Sequence, residues 1–196
     1  MALKVQYNKT SLQGIEKQLK MRLRALPTIK NKESALRMEV KWAKDEAANL
    51  KQTLDAKIRA YDRMTALWNE FEPSLISVQD VNLSARKIAG IRVPALDDVI
   101  FATQPFSVFN SPKWYMDGVE LLKILAKLGI EYEFCLMKID LLEHARKKTT
   151  QKVNLFEKVQ IPGFEDAIRK IKRFMEDEEN LSKSSQKIMK SKQVVT

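Results

Sequence analysis

"SALRMEVKWAKDEAANLKQTLDAKI", from Ser34 to Ile58, is the stretch that decides the fold. An apolar stripe runs through it at Leu36, Val40, Ala43, Ala47, Leu50, Leu54 and Ile58, in steps of three and four, with charged residues filling much of the space between. A repeat near 3.5 residues keeps one narrow apolar stripe turned toward one neighbour, the seam of a coiled coil. Upstream, the stripe runs through Leu12, Ile15, Leu19, Leu23, Leu26 and Ile29, with a polar step at Glu33. Downstream it continues through Tyr61, Met64, Trp68 and Phe71. At about 1.5 Å per residue, residues 10–72 would span on the order of 90 Å as a helix. A kink or short break is expected at Pro27, which lacks an N–H and crowds the carbonyl four residues back.

A second seam occupies the other end of the chain. It reads Leu121, Leu125, Leu128, Tyr132, Cys135, Ile139, Leu142, Arg146, Thr149, Val153 and Phe156, then Phe164, Ile168, Ile171, Met175 and Glu178 beyond Pro162. Arg146, Thr149 and Glu178 are polar seam positions, which cost stability and can fix register. Pro162-Gly163 predicts a local break within residues 158–164. Neither long helix would be stable with its seam in water, so the two most simply pair with each other, antiparallel.

The sequence therefore predicts a mainly α fold, a long antiparallel two-helix coiled coil built from the N- and C-terminal segments. Residues 1–72 form the first arm and 119–196 the second, with a frayed tail after about residue 190. Four of the six prolines lie between residues 73 and 112, so residues 73–118 read as a small middle module. There "KIAGIRV" and "VIFATQPFSVF" are β-like, and "PALDD" between them is turn-like. A short hairpin or irregular module capping the coiled coil is expected. Ser111 suits an N-cap and Pro112 the first helical position of the return helix.

Composition agrees. Of 196 residues, 44% are hydrophobic and 31% charged, with only five glycines, the balance of long amphipathic helices. The net charge of +10 favours an anionic partner. Residues 1–72 carry 15 Lys and Arg against 9 Asp and Glu; residues 73–118 carry 4 against 4; residues 119–196 carry 16 against 12. One cysteine excludes an internal disulfide and a multi-cysteine metal site. The N-terminus lacks a signal-peptide core and no run approaches the ~20 apolar residues of a membrane span. A cytoplasmic chain, peripheral to a membrane at most and not inserted in it, is expected.

No catalytic constellation emerges. The five glycines never cluster and no phosphate loop occurs, so no nucleotide or other cofactor is expected. His144 reads as a surface residue and Cys135 as a small buried hydrophobe. Asp97-Asp98 and Asp177-Glu178-Glu179 are adjacent carboxylates; helix neighbours do not share a face, and the acidic run at 176–179 reads as a solvated face. Trp42 and Trp68 read as coiled-coil packing, whereas Trp114, beside Tyr115, is a candidate partner contact. The basic patches at 145–152 and 168–174 lack the aromatic interleaving of a nucleic-acid site, so a solvated helix face is the first reading and an acidic protein surface the second.

"QKVNLFEKVQIPGFEDAIRKIKRFMEDEE" resembles the C-terminal signature of the D subunit of the V-type and archaeal-type rotary ATPases. Lys152, Val153, Asn154, Glu157, Ile161, Pro162, Ile168, Ile171 and Glu178 fall in matching places. "YNKTSLQGIEKQLKMRLRALPTIKNKESAL" is similar to that family's opening helix, with Lys30 and Lys32 as its Lys-x-Lys element. The family's arginine pair is Gln151-Lys152 here, and Leu26-Pro27 replaces a Gly-Leu-Leu-Lys-like stretch; both point to a divergent bacterial branch. The resemblance implies a non-catalytic central-stalk rotor. It would stand inside a hexamer of catalytic and nucleotide-binding subunits, with the small F subunit of the central stalk and a membrane-ring adaptor as further partners and no nucleic acid. Such a rotor would couple ATP hydrolysis or synthesis to rotation and ion transport. Lys148, Gln151, Lys152, Asn154, Pro162 and Arg169 would be contacts with those partners. A basic coiled-coil arm binding nucleic acid is the alternative, and an amphipathic scaffold on anionic membranes a third reading.

Overall fold

The computed structural model describes residues 6–61, 68–107 and 111–194. Helix α1 is Lys9–Ala60, strand β1 Ile76–Ile88, strand β2 Ile91–Thr103 and helix α2 Tyr115–Asn154. A π-helical turn, Leu155–Gln160, leads into helix α3, Ile161–Val194. The chain divides into two compact units, Met1–Glu33 with Lys148–Thr196, and Ser34–Lys147. The mainly helical fold with a hairpin in its middle is the one the two seams predict.

In the unit Ser34–Lys147, the expected seam forms the core. Leu36, Val40 and Ala43 of α1 are buried with Leu142 of α2, and Ile139 and Ala145 pack at the edge. Ion pairs Lys44–Glu143 and Lys138–Glu46 join the two helices beside the seam and fix their antiparallel register. Cys135 is buried, as its seam position predicts, and its thiol points at the Ala43 carbonyl 3.3 Å away. Burial first, then the Glu46 carboxylate, pushes this thiol up, so it is an inert packing group. Ile58 departs from the expected seam and is exposed, while Met64 lies outside the described residues.

The hairpin corrects the sequence reading in two ways. "PALDD" is not its turn but lies within β2; the strands are 13 residues each and the turn is Ala89-Gly90. Both turn residues have positive φ, 48° and 83°, the tight turn that matches strand twist. Pro94 is tolerated because a two-stranded sheet has only edge strands. Nor does the hairpin merely cap the helices. Ile88, Ala89, Ile91 and buried Val93 lie on Leu36, Val40, Ala43 and Leu142, so its tip is part of the main core. This placement explains an alanine where asparagine would fit the turn better. Left-handed alanine costs about 1–2 kcal/mol, but its methyl packs on the apolar cluster where an amide would be desolvated.

Phe71, Leu75 and Val119 form a second cluster with Trp68, Phe106, Trp114 and Tyr115 around it. The return helix starts at Tyr115, not Pro112, because residues 111–114 are spent on turns: the Tyr115 N–H donates to the Pro112 carbonyl. Helix α1 runs without a break through Pro27, and α3 stays helical to Val194. Among the described residues, no helix is long and apolar enough to cross a membrane.

Leu142 is fully buried between α1 and the hairpin tip. Leu142→Ala is expected to lower stability by about 2–5 kcal/mol, measured by urea unfolding followed by circular dichroism.

Candidate functional site

The unit Met1–Glu33 with Lys148–Thr196 holds most of the residues singled out by sequence. Helix α1 begins here behind Asn8, whose side-chain oxygen accepts the Ser11 N–H at 2.7 Å, an N-cap. Ile15 of α1 is buried with Phe164, Ala167 and Ile171 of α3, and Leu12, Leu19, Ile168 and Met175 flank them. The Tyr7 ring lies tilted against that of Phe174, their centres 5.1 Å apart, and Lys172 pairs with Glu16 at 3.2 Å. Glu33, the polar step of the α1 stripe, accepts a hydrogen bond at 3.1 Å from Thr150, the neighbour of the expected seam position Thr149. A polar layer inside an apolar seam penalises any slip, because a slipped helix would leave these groups against hydrocarbon.

The seam crosses α1 at Arg22, not at Leu23. Leu23 is 47% exposed, whereas Arg22 faces inward. Its Nε donates to the Gln160 side chain at 2.7 Å, and its guanidinium stands 4.7 Å from the Phe164 ring centre and 5.9 Å from that of Phe156. Further along α1, Lys30 pairs with Glu157 at 2.8 Å. Together these two cations grip the π turn from α1.

The π turn replaces the break expected around Pro162. Continued as a strict heptad, Val153 and Phe156 lead to Gln160 and Gly163. The buried residues are instead Ile161 and Phe164, each one position later, and Ile168, Ile171 and Met175 keep that later phase. One residue is therefore surplus. The wider turn absorbs it, closed by the Ile161 N–H donating to the Phe156 carbonyl five residues back. Pro162 then stands in the first turn of α3, where a missing N–H does no harm. The spacing of eight from Phe156 to Phe164, in place of seven, is the sequence signal for this turn; Arg22 has none beyond its step of three from Leu19.

Six of the seven candidate contacts lie in this unit. Lys148, Gln151, Lys152, Asn154, Pro162 and Arg169 are all exposed, on the half of the helical path turned away from the seam. Leu155 and Val159, apolar yet 45% and 46% exposed, share that outward side. Lys152 also stands 5.9 Å from the Phe156 ring centre. Asp166 and Lys170 pair one turn apart at 3.0 Å; hydrogen bonding from Lys170 holds the Asp166 carboxyl below its ordinary range, and the same bond raises the Lys170 ammonium. Trp114 belongs to the other unit. Its ring is half-buried against Trp68, Phe71 and Tyr115, and lies so close over Gly118 that a Cβ there would stand 3.1 Å from it.

Charge separates along the same division. Met1–Glu33 with Lys148–Thr196 contains 19 Lys and Arg against 9 Asp and Glu, whereas Ser34–Lys147 contains 16 against 16. The net charge of +10 resides in the first unit alone. Among the described residues, no group of three or more His, Cys, Asp or Glu could hold a metal ion.

A sequence model of one family, the ATP synthase D subunit, matches residues 11–191, both helical arms and the hairpin included. The chain belongs to the ATP synthase D subunit family. The V-type ATP synthase D subunit of Borreliella burgdorferi is 30% identical over 191 residues, covering 96% of this chain and 94% of that protein. That of Chlamydia muridarum is 28% identical over 200 residues, covering 98% and 97%. That of Chlamydia pneumoniae is 28% identical over 186 residues, covering 90% and 87%.

If residues 155–160 hold one residue beyond the helical repeat, removing one should be tolerated. Deletion of exposed Lys158 is expected to change stability by no more than about 0.5–1 kcal/mol, while insertion of an alanine after it should cost about 2–5 kcal/mol by turning apolar side chains out of the seam. Hydrogen exchange over residues 155–175 measures both. In the same assay Arg22→Ala should lower local stability by about 1–2 kcal/mol.

Proposed function

We propose that this chain is the central-stalk rotor of a V-type ATP synthase and itself catalyses nothing. It couples ATP hydrolysis or synthesis in a surrounding hexamer of catalytic and nucleotide-binding subunits to rotation, and through rotation to ion transport. The observation that carries this reading is family membership along residues 11–191. The unit formed by the two chain ends adds physical support: it has an apolar seam inside and an outward surface with a strong cationic excess.

A rotor must hold its own two helices in fixed register while sliding against other subunits. Interlocked apolar side chains suit the first task, and long-range charge the second, since electrostatic attraction is less demanding of register. Lys148, Gln151, Lys152, Asn154, Pro162 and Arg169 are the residues proposed to meet the hexamer. Trp114 and the aromatic cluster around it belong to residues 73–118, the middle module between arms 1–72 and 119–196. That module is assigned to the small F subunit of the central stalk and the membrane-ring adaptor. The protein is thereby cytoplasmic and peripheral to the membrane through its complex.

Reversing Lys148, Lys152 and Arg169 together to glutamate tests the hexamer contact. With exposed charge contacts worth about 0.5 kcal/mol each, coupled ATP turnover in the reconstituted complex should fall about tenfold. The fall should shrink as salt rises, with helix content unchanged by circular dichroism. Full turnover in this variant would refute the assignment.

A further inference from the structure

A π turn is a movable defect in a helix. When one residue trades a bond four back for a bond five back, the wide turn advances by one residue; the reverse trade makes it retreat. In this chain the last wide bond runs from the Ile161 N–H to the Phe156 carbonyl. To advance into α3, the next would run from residue 162 to the Glu157 carbonyl. Residue 162 is proline and has no N–H to give. The seam alone guards this step weakly. A long advance would turn Phe164, Ile168 and Ile171 away from the seam by about 100° each, but a short one would turn only Ile161.

Side chains of α1 guard the other direction. The Arg22 guanidinium stands 5.9 Å from the Phe156 ring centre, inside the turn, and 4.7 Å from that of Phe164, beyond it. Its Nε donates to the side chain of Gln160, the last residue of the turn, at 2.7 Å. Lys30 holds Glu157, in the middle of the turn, at 2.8 Å. A retreat of the wide turn would swing Glu157 and Gln160 off these partners.

We propose that Pro162 and Arg22 are positioning residues that hold the surplus residue captive within Leu155–Gln160, so that twist applied to the chain does not pass it along α3. The capture stands on this chain alone; its use rests on the rotor reading and deepens it. A shaft under torque keeps the bearing of α3 only if the defect in its helix stays where it is. The proline is then a stop, and the planar guanidinium is a clasp that lysine, with its single charged point and no fork, does not reproduce.

Residue-resolved amide hydrogen exchange of the full-length chain tests the capture. Pro162→Ala supplies the missing N–H, so exchange at residues 163–167 should quicken about tenfold, with Ile15 and Ile171 unchanged. A proline that is merely tolerated predicts the opposite sign, since alanine is the better helix former and adds a bond. Arg22→Lys should quicken exchange over residues 155–161 despite keeping its charge. Both effects should vanish when Lys158 is also deleted, because no surplus residue is then left to move. Slower or unchanged exchange in Pro162→Ala, or equal quickening with and without Lys158, would overturn the inference. In a reconstituted complex driven by ATP, Pro162→Ala should broaden the angles at which the shaft pauses, and deleting Lys158 in that variant should narrow them again. Unaltered pauses would overturn the mechanical use of the capture. No rotation of the parent chain would overturn the rotor reading and leave the exchange result standing.

Discussion

Each of the two units depends on the same requirement: two narrow apolar stripes, far apart in sequence, must meet in one register. A stripe this narrow leaves little apolar area to spare, so a slip of even one residue exposes buried side chains and strands polar ones. The chain meets the requirement with layers of different chemistry. Apolar clusters around Ile15–Ile171 and Leu36–Leu142 supply the burial. Glu33 with Thr150, Arg22 with Gln160, and the Lys44–Glu143 and Lys138–Glu46 pairs supply the registration marks. Individually such polar contacts contribute little to stability; their effect is that, within each unit, only one alignment satisfies them.

The seams are the most legible part of the sequence, because helical periodicity over many turns is a redundant signal. Leu36, Val40, Ala43, Cys135 and Leu142 are buried as their spacing predicts. Single-residue features are less legible. Pro27 and Pro162 look like helix breakers, yet α1 continues through the first and the second sits in a first turn after a π turn. Periodicity is also a poor guide where a polar residue takes a seam position, as Arg22 does beside exposed Leu23. The hairpin turn is hidden because Ala-Gly is a weak turn signal and "PALDD" a strong one; the tie is broken by packing of the tip on α1 and α2, which local composition does not contain. Among candidate contacts, exposed Lys148, Gln151, Lys152, Asn154, Pro162 and Arg169 are readable as surface positions, whereas Trp114 is half-buried among Trp68, Phe71 and Tyr115.

Charge follows a similar course. Counted along the chain, the cationic excess is shared between both arms. Counted by the units the fold creates, it collects entirely where the two chain ends pair, and Ser34–Lys147 is neutral. Every part of Ser34–Lys147 is already neutral along the chain; what the fold adds is that the two cationic segments, Met1–Glu33 and Lys148–Thr196, distant in sequence, are brought into one unit.

The π turn has one more effect. A helix is a rigid angular scale, on which each residue added or removed turns everything beyond it by about 100°. By housing a surplus residue, Leu155–Gln160 sets the bearing of every side chain from Ile161 onward while leaving their own sequence untouched. Evolution can thus re-aim the whole of α3 by changing length at one tolerant place, as a vernier shifts a scale without redrawing its marks.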